Sequence, residues 1–178
     1  MKTSLNTPLQ IDELSVGAGG GVIGISLCPG KKNPEWLWDR DLEKDLQVIV
    51  DWNASVVVSL VEAHELMFLC VPNLGNRVKA LGMEWLHLPI RDGGIPDTHF
   101  KSEWQTRGAE LHRQLDEGAR ILIHCRGGKG RSGLLAATIL VERGCNASLA
   151  AEQVRAARSG AIETGCQEAY ILGGILMR

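Results

Sequence analysis

No stretch of this chain approaches the roughly 18 consecutive apolar residues of a membrane-spanning helix. No apolar run follows the lysine in the opening MKTSLNTPLQIDELSV, so no secretory signal and no stable membrane association are expected. Neither sign of charge dominates, since 19 Lys and Arg face 21 Asp and Glu for a net charge of -2. With a pI near 6.2, the molecule lacks the all-over basic face that nucleic-acid packaging needs, although local basic pockets remain allowed. The five cysteines, at 28, 70, 125, 145 and 166, contain no C-x-x-C. Their odd number and wide spacing fit reduced thiols in the cytoplasm better than a disulfide frame or a structural zinc site. His64-Glu65 begins like H-E-x-x-H, but Phe68 takes the second histidine's place and the zinc-protease reading fails. No metal site and no cofactor motif is predicted. No repeat, low-complexity tract or Pro/Ser-rich linker divides the 178 residues, so a single globular domain over 1–178 is expected.

What is present reads as alternating strands and helices. Pro8 to Val16 and Val22 to Leu27 form an N-terminal pair of short strands. From Asp39 a helical pattern places Leu42, Leu46, Ile49 and Val50 on one face. Ser55 to Leu60 is apolar on both faces, as a central parallel strand should be, and its predicted partners are Glu84 to Leu88 and Arg120 to His124. Further helices are expected over Phe100 to Leu115, Ser132 to Arg143, Ala147 to Arg158 and Cys166 to Met177. The class is α/β, with a central, mostly parallel sheet flanked by helices. The five tryptophans are scattered, and periodicity assigns them to packing. Gly19 to Gly24 matches G-x-G-x-x-G but leads into a strand, which removes the dinucleotide reading.

Residues 120 to 135, RILIHCRGGKGRSGLL, run from an apolar strand through Cys125 and a glycine-rich turn to Arg131, Ser132 and an apolar helix. Such a turn points successive backbone N–H groups inward, and the following helix aims its positive end at the same place, making a cradle for a dianion. A thiol in that field ionises more readily, because the thiolate gains the donors and the dipole. Cys125 is therefore the candidate nucleophile. Arg131 can offer two parallel donors to phosphate oxygens, and Arg126, Gly127, Gly128, Lys129 and Gly130 are the remaining candidate substrate-binding residues. For Cys28, Cys145 and Cys166 the reading is a small buried hydrophobe. Spacing excludes the nucleotide loop G-x-x-x-x-G-K-[ST], because Gly130 follows Lys129.

Phosphoryl transfer to a thiolate also needs a proton donor for the leaving oxygen. Asp92, in LPIRDGGIPD after a predicted strand, is the first candidate, which would then activate the hydrolytic water as general base, and Asp97 is the fallback; the competing reading of Asp92 is a plain turn aspartate. Glycines and a proline would let that loop close over the cradle. Glu163-Thr164-x-x-Gln167 further on can be a capping box with Thr164 at the N-cap and Gln167 at N3.

The H-C-x5-R-S stretch resembles the signature of the cysteine-dependent protein tyrosine phosphatases. Five segments together, PLQIDELS, VPNL, PIRDGGIPD, ILIHCRGGKGRSG and RSGAIET, are similar in kind and order to the kinase-associated branch of the dual-specificity type. The resemblance implies a phosphatase P-loop between strand and helix, and hydrolysis through a phosphocysteine without metal or cofactor. It also implies phosphorylated protein as the substrate class, a kinase included. Asp92 falls on the branch's acid loop. The matching water-orienting segment commonly reads Q-T-x-x-Q, so Glu163 replaces its first glutamine and Gln167 keeps the second; either could orient the hydrolytic water. The absence of an inserted aromatic loop favours a shallow, dual-specificity pocket. The loop HCRGGKGR is also similar to that of a phosphoinositide phosphatase, in which Arg126 and Lys129 would meet further phosphates. An inactive phosphoprotein-binding module is the reading from another class, though such modules usually lack the cysteine, the arginine or the acid. Some relatives protect the thiolate with a second cysteine, a role Cys70 could take.

Overall fold

A computed structural model describes residues 1–173. The strands are β1 (Asp12–Val16), β2 (Gly21–Ser26), β3 (Lys32–Asn33), β4 (Trp38–Asp39), β5 (Val56–Ser59), β6 (Glu84–His87) and β7 (Arg120–His124). The helices are α1 (Leu42–Asp51), α2 (Ala63–Phe68), α3 (Leu74–Ala80), α4 (Thr98–Asp116), α5 (Gly130–Glu142), α6 (Ala147–Ala157) and α7 (Gly165–Leu172). Five strands form the main sheet in the order β1-β2-β7-β5-β6, and β3 pairs with β4 as a separate small hairpin. Within the main sheet β1 and β2 run antiparallel, whereas β2–β7, β7–β5 and β5–β6 are parallel. The α/β class and the parallel pairing of β5 with β6 and β7 are those expected, but the middle strand of the five is β7 rather than β5.

The parallel strands are apolar throughout because both faces are covered. Alternation sends Val56, Val58, Ile121 and Ile123 into a core under α4, α5, α6 and α7. Val57 and Leu122 face the opposite way, into a core with Leu46 and Ile49 of α1 and with Leu66, Leu74 and Val78 of α2 and α3. Each such buried aliphatic side chain contributes about 1.5–3 kcal/mol. In α5 every residue from Gly130 to Leu140 is buried, which is why its sequence shows no polar stripe.

Helix α1 starts at Leu42 rather than at Asp39, because Asp41 is its N-cap and accepts from Lys44 N–H at 3.1 Å, while Asp39 belongs to β4. Helix α5 starts at Gly130, two residues before Ser132. The last expected helix begins at Gly165 and reaches Leu172; its expected continuation to Met177 passes Gly173 into positions outside the described residues. The β3–β4 hairpin and the short α2 and α3 carry too few residues for periodicity to reveal.

Candidate active site

Between the end of β7 at His124 and the start of α5 at Gly130, the chain turns around a pocket of about 520 Å³. Its lining includes Cys125, Arg126, Gly127, Lys129, Gly130 and Arg131 together with Asp92 and Glu163. Cys125 Sγ accepts the Gly128 N–H at 3.2 Å and lies 3.5 Å from Ser132 Oγ. The loop's carbonyls are tied outward. Lys31 Nζ donates to Arg126 O at 3.0 Å, and Arg158 donates to Gly128 O at 2.9 Å and Gly127 O at 3.3 Å while pairing with Asp12 at 2.7 Å. A peptide whose carbonyl is held on one side presents its N–H to the other, so these two cations turn the donors inward, where the positive end of α5 adds to them. Gly128 is required: its φ is +71°, and a Cβ there would lie 2.4 Å from the Ser26 carbonyl atoms.

Behind the loop, Trp85 Nε1 donates to Ser59 Oγ at 2.8 Å, and Ser59 Oγ lies 2.6 Å from His124 Nε2. A hydroxyl that accepts from the indole gives its own hydrogen to the imidazole, which assigns the His124 proton to Nδ1, 3.4 Å from Cys125 O. Burial, aided by the Arg131 charge, lowers His124 to about 4 against the pull of that backbone contact, so the ring is neutral at pH 7.

Arg131 is 1% exposed and is held in a fork by Glu65, with Nη2 to Oε1 at 2.8 Å and Nη1 on Oε2. Nη1 also donates to Ile90 O at 3.0 Å. Burial works to raise the Glu65 pKa, but hydrogen bonds from Arg131 and from Glu62 N–H keep it below the usual carboxylate value. Asp92, whose side chain is 49% exposed, stands at the mouth of the pocket with Oδ1 3.1 Å from Arg131 Nη2 and Oδ2 3.1 Å from Arg126 Nη2. The Arg126 guanidinium lies 4.6 Å from the centre of the Trp36 ring, a cation–π contact that braces it. Asp92's loop is fastened to the turn before α7: Thr164 Oγ1 donates to Gly93 O at 3.1 Å and Gln167 Nε2 to Gly94 O at 3.1 Å.

The structure thus brings Cys125, Arg131, Ser132 and Asp92 together at one site. Asp97 is occupied elsewhere, as the N-cap of α4, accepting from Phe100 N–H at 2.8 Å. Gln167 forms the capping box with Thr164. It is fully buried, its Oε1 accepting from Glu163 and Thr164 N–H at 3.0 and 3.3 Å and its Nε2 giving one hydrogen to Gly94 O at 3.1 Å. Glu163 is the member of that pair that lines the pocket. Cys70 is exposed on a separate cavity beside Asp39 and Leu42, so the structure does not bring it to Cys125. Cys28 is buried and Cys145 partly so, but Cys166 is exposed beside Gly93 O, against the expectation of a buried small hydrophobe.

The assignment of all the tryptophans to packing is also corrected. Trp36, 53% exposed, and Trp38 line the pocket, carried there by β3, β4 and the single 3-10 turn Pro34–Trp36 between them. The chain therefore does place aromatics at the site. Lys31 sits over the Trp38 ring at 4.0 Å, and burial lowers its pKa to about 8. The hairpin is anchored by a buried ion pair: Arg40 and Asp45 meet at 2.7 and 2.8 Å, and Asp45 also accepts from Gly30 N–H at 2.8 Å. Sequence reasoning missed Glu65, Lys31 and Arg158. Only Glu65 had a local signal, the Glu62-x-x-Glu65 capping box at the start of α2.

A parallel sheet whose central strand delivers a cysteine into a glycine cradle closed by arginine and helix defines the class: a cysteine-based phosphatase of the protein tyrosine/dual-specificity type. A family model described as cyclin-dependent kinase inhibitor 3 (CDKN3) matches residues 3–154. The chain is similar to cyclin-dependent kinase inhibitor 3 of Mus musculus, at 33% identity over 93% of this chain and 78% of that protein. The Homo sapiens protein gives the same identity and coverage. Among solved structures, kinase associated phosphatase with its catalytic-site cysteine replaced by serine superposes with a TM-score of 0.82, at 31% identity and 93% coverage of each chain. The chain belongs to the cyclin-dependent kinase inhibitor 3 family.

Proposed function

We propose that the protein hydrolyses phosphate monoesters on phosphorylated protein side chains through a phosphocysteine at Cys125. The observation that carries this reading is the convergence of Cys125 Sγ, the Gly128 N–H, Arg131 and Asp92 on one pocket. The Cys125 thiolate attacks phosphorus as the bond to the leaving oxygen breaks, and Asp92 delivers the proton that oxygen needs. Arg131 and the inward N–H groups hold the three equatorial oxygens, where charge collects in the transition state. An incoming dianion takes Arg131 over from Asp92, which frees the carboxyl to turn toward the leaving group. Water then hydrolyses the phosphocysteine and restores the thiolate.

Phosphorylated protein is favoured over phosphoinositide because Arg126, which a second phosphate would need, is stacked on the Trp36 ring. The names of the relatives tie them to cyclin-dependent kinases, so a phosphorylated kinase of that kind is the first protein substrate to try. The test is phosphate release, in the presence of a chelator, from an aryl phosphate, phosphotyrosine and phosphothreonine peptides and soluble phosphoinositides, each beside Cys125→Ser. Peptide turnover that disappears in Cys125→Ser, with peptide binding retained, is the expected result. Full turnover by that variant would refute the mechanism. Preference for phosphoinositides would refute the substrate class, and binding without turnover by the unaltered protein would establish a binding module.

A further inference from the structure

The first step of the proposed reaction leaves one pocket carboxylate without a task. Glu163 follows Ile162, whose φ of +59° is a strained conformation for a β-branched residue. That strain is held in place from two sides. Arg155 of α6 donates to the carbonyls of Ala161 and Ile162 at 3.2 and 3.3 Å and pairs with Glu168 at 2.8 Å. The Gln167 amide accepts the N–H groups of Glu163 and Thr164. The result is a rigid backbone that sends the Glu163 side chain back over the start of α5, with Oε2 2.8 Å from where a Cβ on Gly130 would stand. Gly130, by having none, leaves room for it. Among the described residues, the Glu163 carboxylate has no hydrogen-bond or ion-pair partner, whereas both Asp92 oxygens are taken by arginines. Lys129, whose Nζ lies 3.4 Å from where a Cβ on Gly160 would stand, lines the same pocket.

We propose that Glu163 is the general base for hydrolysis of the phosphocysteine, a role that rests on the phosphocysteine reading above. The oxygen of a water molecule attacks phosphorus, the S–P bond breaks with its electron pair returning to Cys125 Sγ, and the water proton passes to the Glu163 carboxylate. The two half-reactions are thereby divided between two carboxyl groups, with Asp92 as acid in the first and Glu163 as base in the second. A glutamine in this place could orient a water but could not take its proton, so the role requires the carboxylate.

Glu163→Gln separates the two roles, since it keeps shape and hydrogen bonding and removes only the basicity. The side chain is exposed, so the variant should fold, and Glu163→Asp should recover part of the rate. In a rapid-quench experiment with an aryl phosphate, Glu163→Gln should release a burst of phenol near one per active site and then turn over about 100-fold more slowly than the unaltered protein. Phosphoenzyme should accumulate, visible by mass spectrometry. Steady-state turnover equal to that of the unaltered protein, or a slow rate with no burst and no phosphoenzyme, would overturn the role of Glu163. Full turnover by Cys125→Ser would instead overturn the phosphocysteine reading and the base together.

Discussion

Removing the carboxylate that holds Arg131 from behind tests the construction of the site more sharply than removing Arg131 itself. Glu65 lies on α2, and its fork with the guanidinium is buried on both sides. Glu65→Ala leaves a buried cation with the Ile90 and Leu60 carbonyls and with Asp92, which is half exposed. Breaking a buried pair from one side costs about 3–5 kcal/mol. Because Asp92 and two carbonyls remain, the lower figure of about 3 kcal/mol applies, a large part of a total stability of about 5–15 kcal/mol. For a domain of this size that corresponds to a fall in Tm of about 6–12 °C. Glu65→Gln keeps the shape and one acceptor and should fall less. Activity should suffer in both, since a displacement of about 1 Å in a positioning group can cost about 100-fold. The assay is thermal unfolding with and without orthovanadate as oxyanion, alongside kcat/KM on an aryl phosphate. In the unaltered protein an oxyanion at 100 times its Kd adds about 2.7 kcal/mol, and the same concentration should add much less to the variants. A Glu65→Ala protein whose Tm lies within 2 °C of the original, with kcat/KM within twofold, would refute the view that Glu65 sets Arg131 (~2 °C being under 1 kcal/mol here).

Two further predictions follow from the loop and from the histidine behind it. Gly128→Ala places a Cβ against the Ser26 backbone at a positive φ and should destabilise by about 2–5 kcal/mol with loss of turnover. Gly127→Ala meets nothing within 4 Å and should leave Tm nearly unchanged, so equal effects of the two in thermal unfolding would contradict the account of the loop. His124 is lowered from 6.5 to about 4 in the native state. Between those values the unfolded chain binds the extra proton, so the stability contribution is full above pH 6.5 and is lost as pH falls toward 4. Urea unfolding at pH 7.5 and 4.5 should show a loss of about 2 kcal/mol that His124→Asn does not share; parallel losses in both would sink the assignment.

How much of this was legible beforehand depends on where the partners sit along the chain. The order strand, Cys125, glycines, Arg131, helix is contiguous, and local backbone geometry makes each member's task readable from its neighbours. The β5 run VVVS announced a strand covered on both faces, and β6 and β7 were found as its partners by the same apolar pattern. The β3–β4 hairpin gave no such pattern. Its two-residue strands have no periodicity, and the tryptophans in it were assigned to packing because large aromatics usually go there. Asp92 and Asp97 were both readable as acids. Distance alone separated them, one reaching Arg131 and the other capping α4.

The sequence by itself determined the α/β class and the candidate nucleophile, glycine turn and arginine of the proposed site, because these are properties of adjacent residues and of side-chain periodicity. Tertiary structure decided what holds them in working order. Glu65 meets Arg131 across 66 positions, Lys31 meets the Arg126 carbonyl across 95, and Arg158 ties Asp12 to the loop across 146. The same packing tied the Gln167 amide to the acid loop and placed Glu163 in the pocket. Such pairings join a cation to a carboxylate or carbonyl far away in the chain, and a linear pattern carries no record of which acceptor the packed core will bring within about 3 Å.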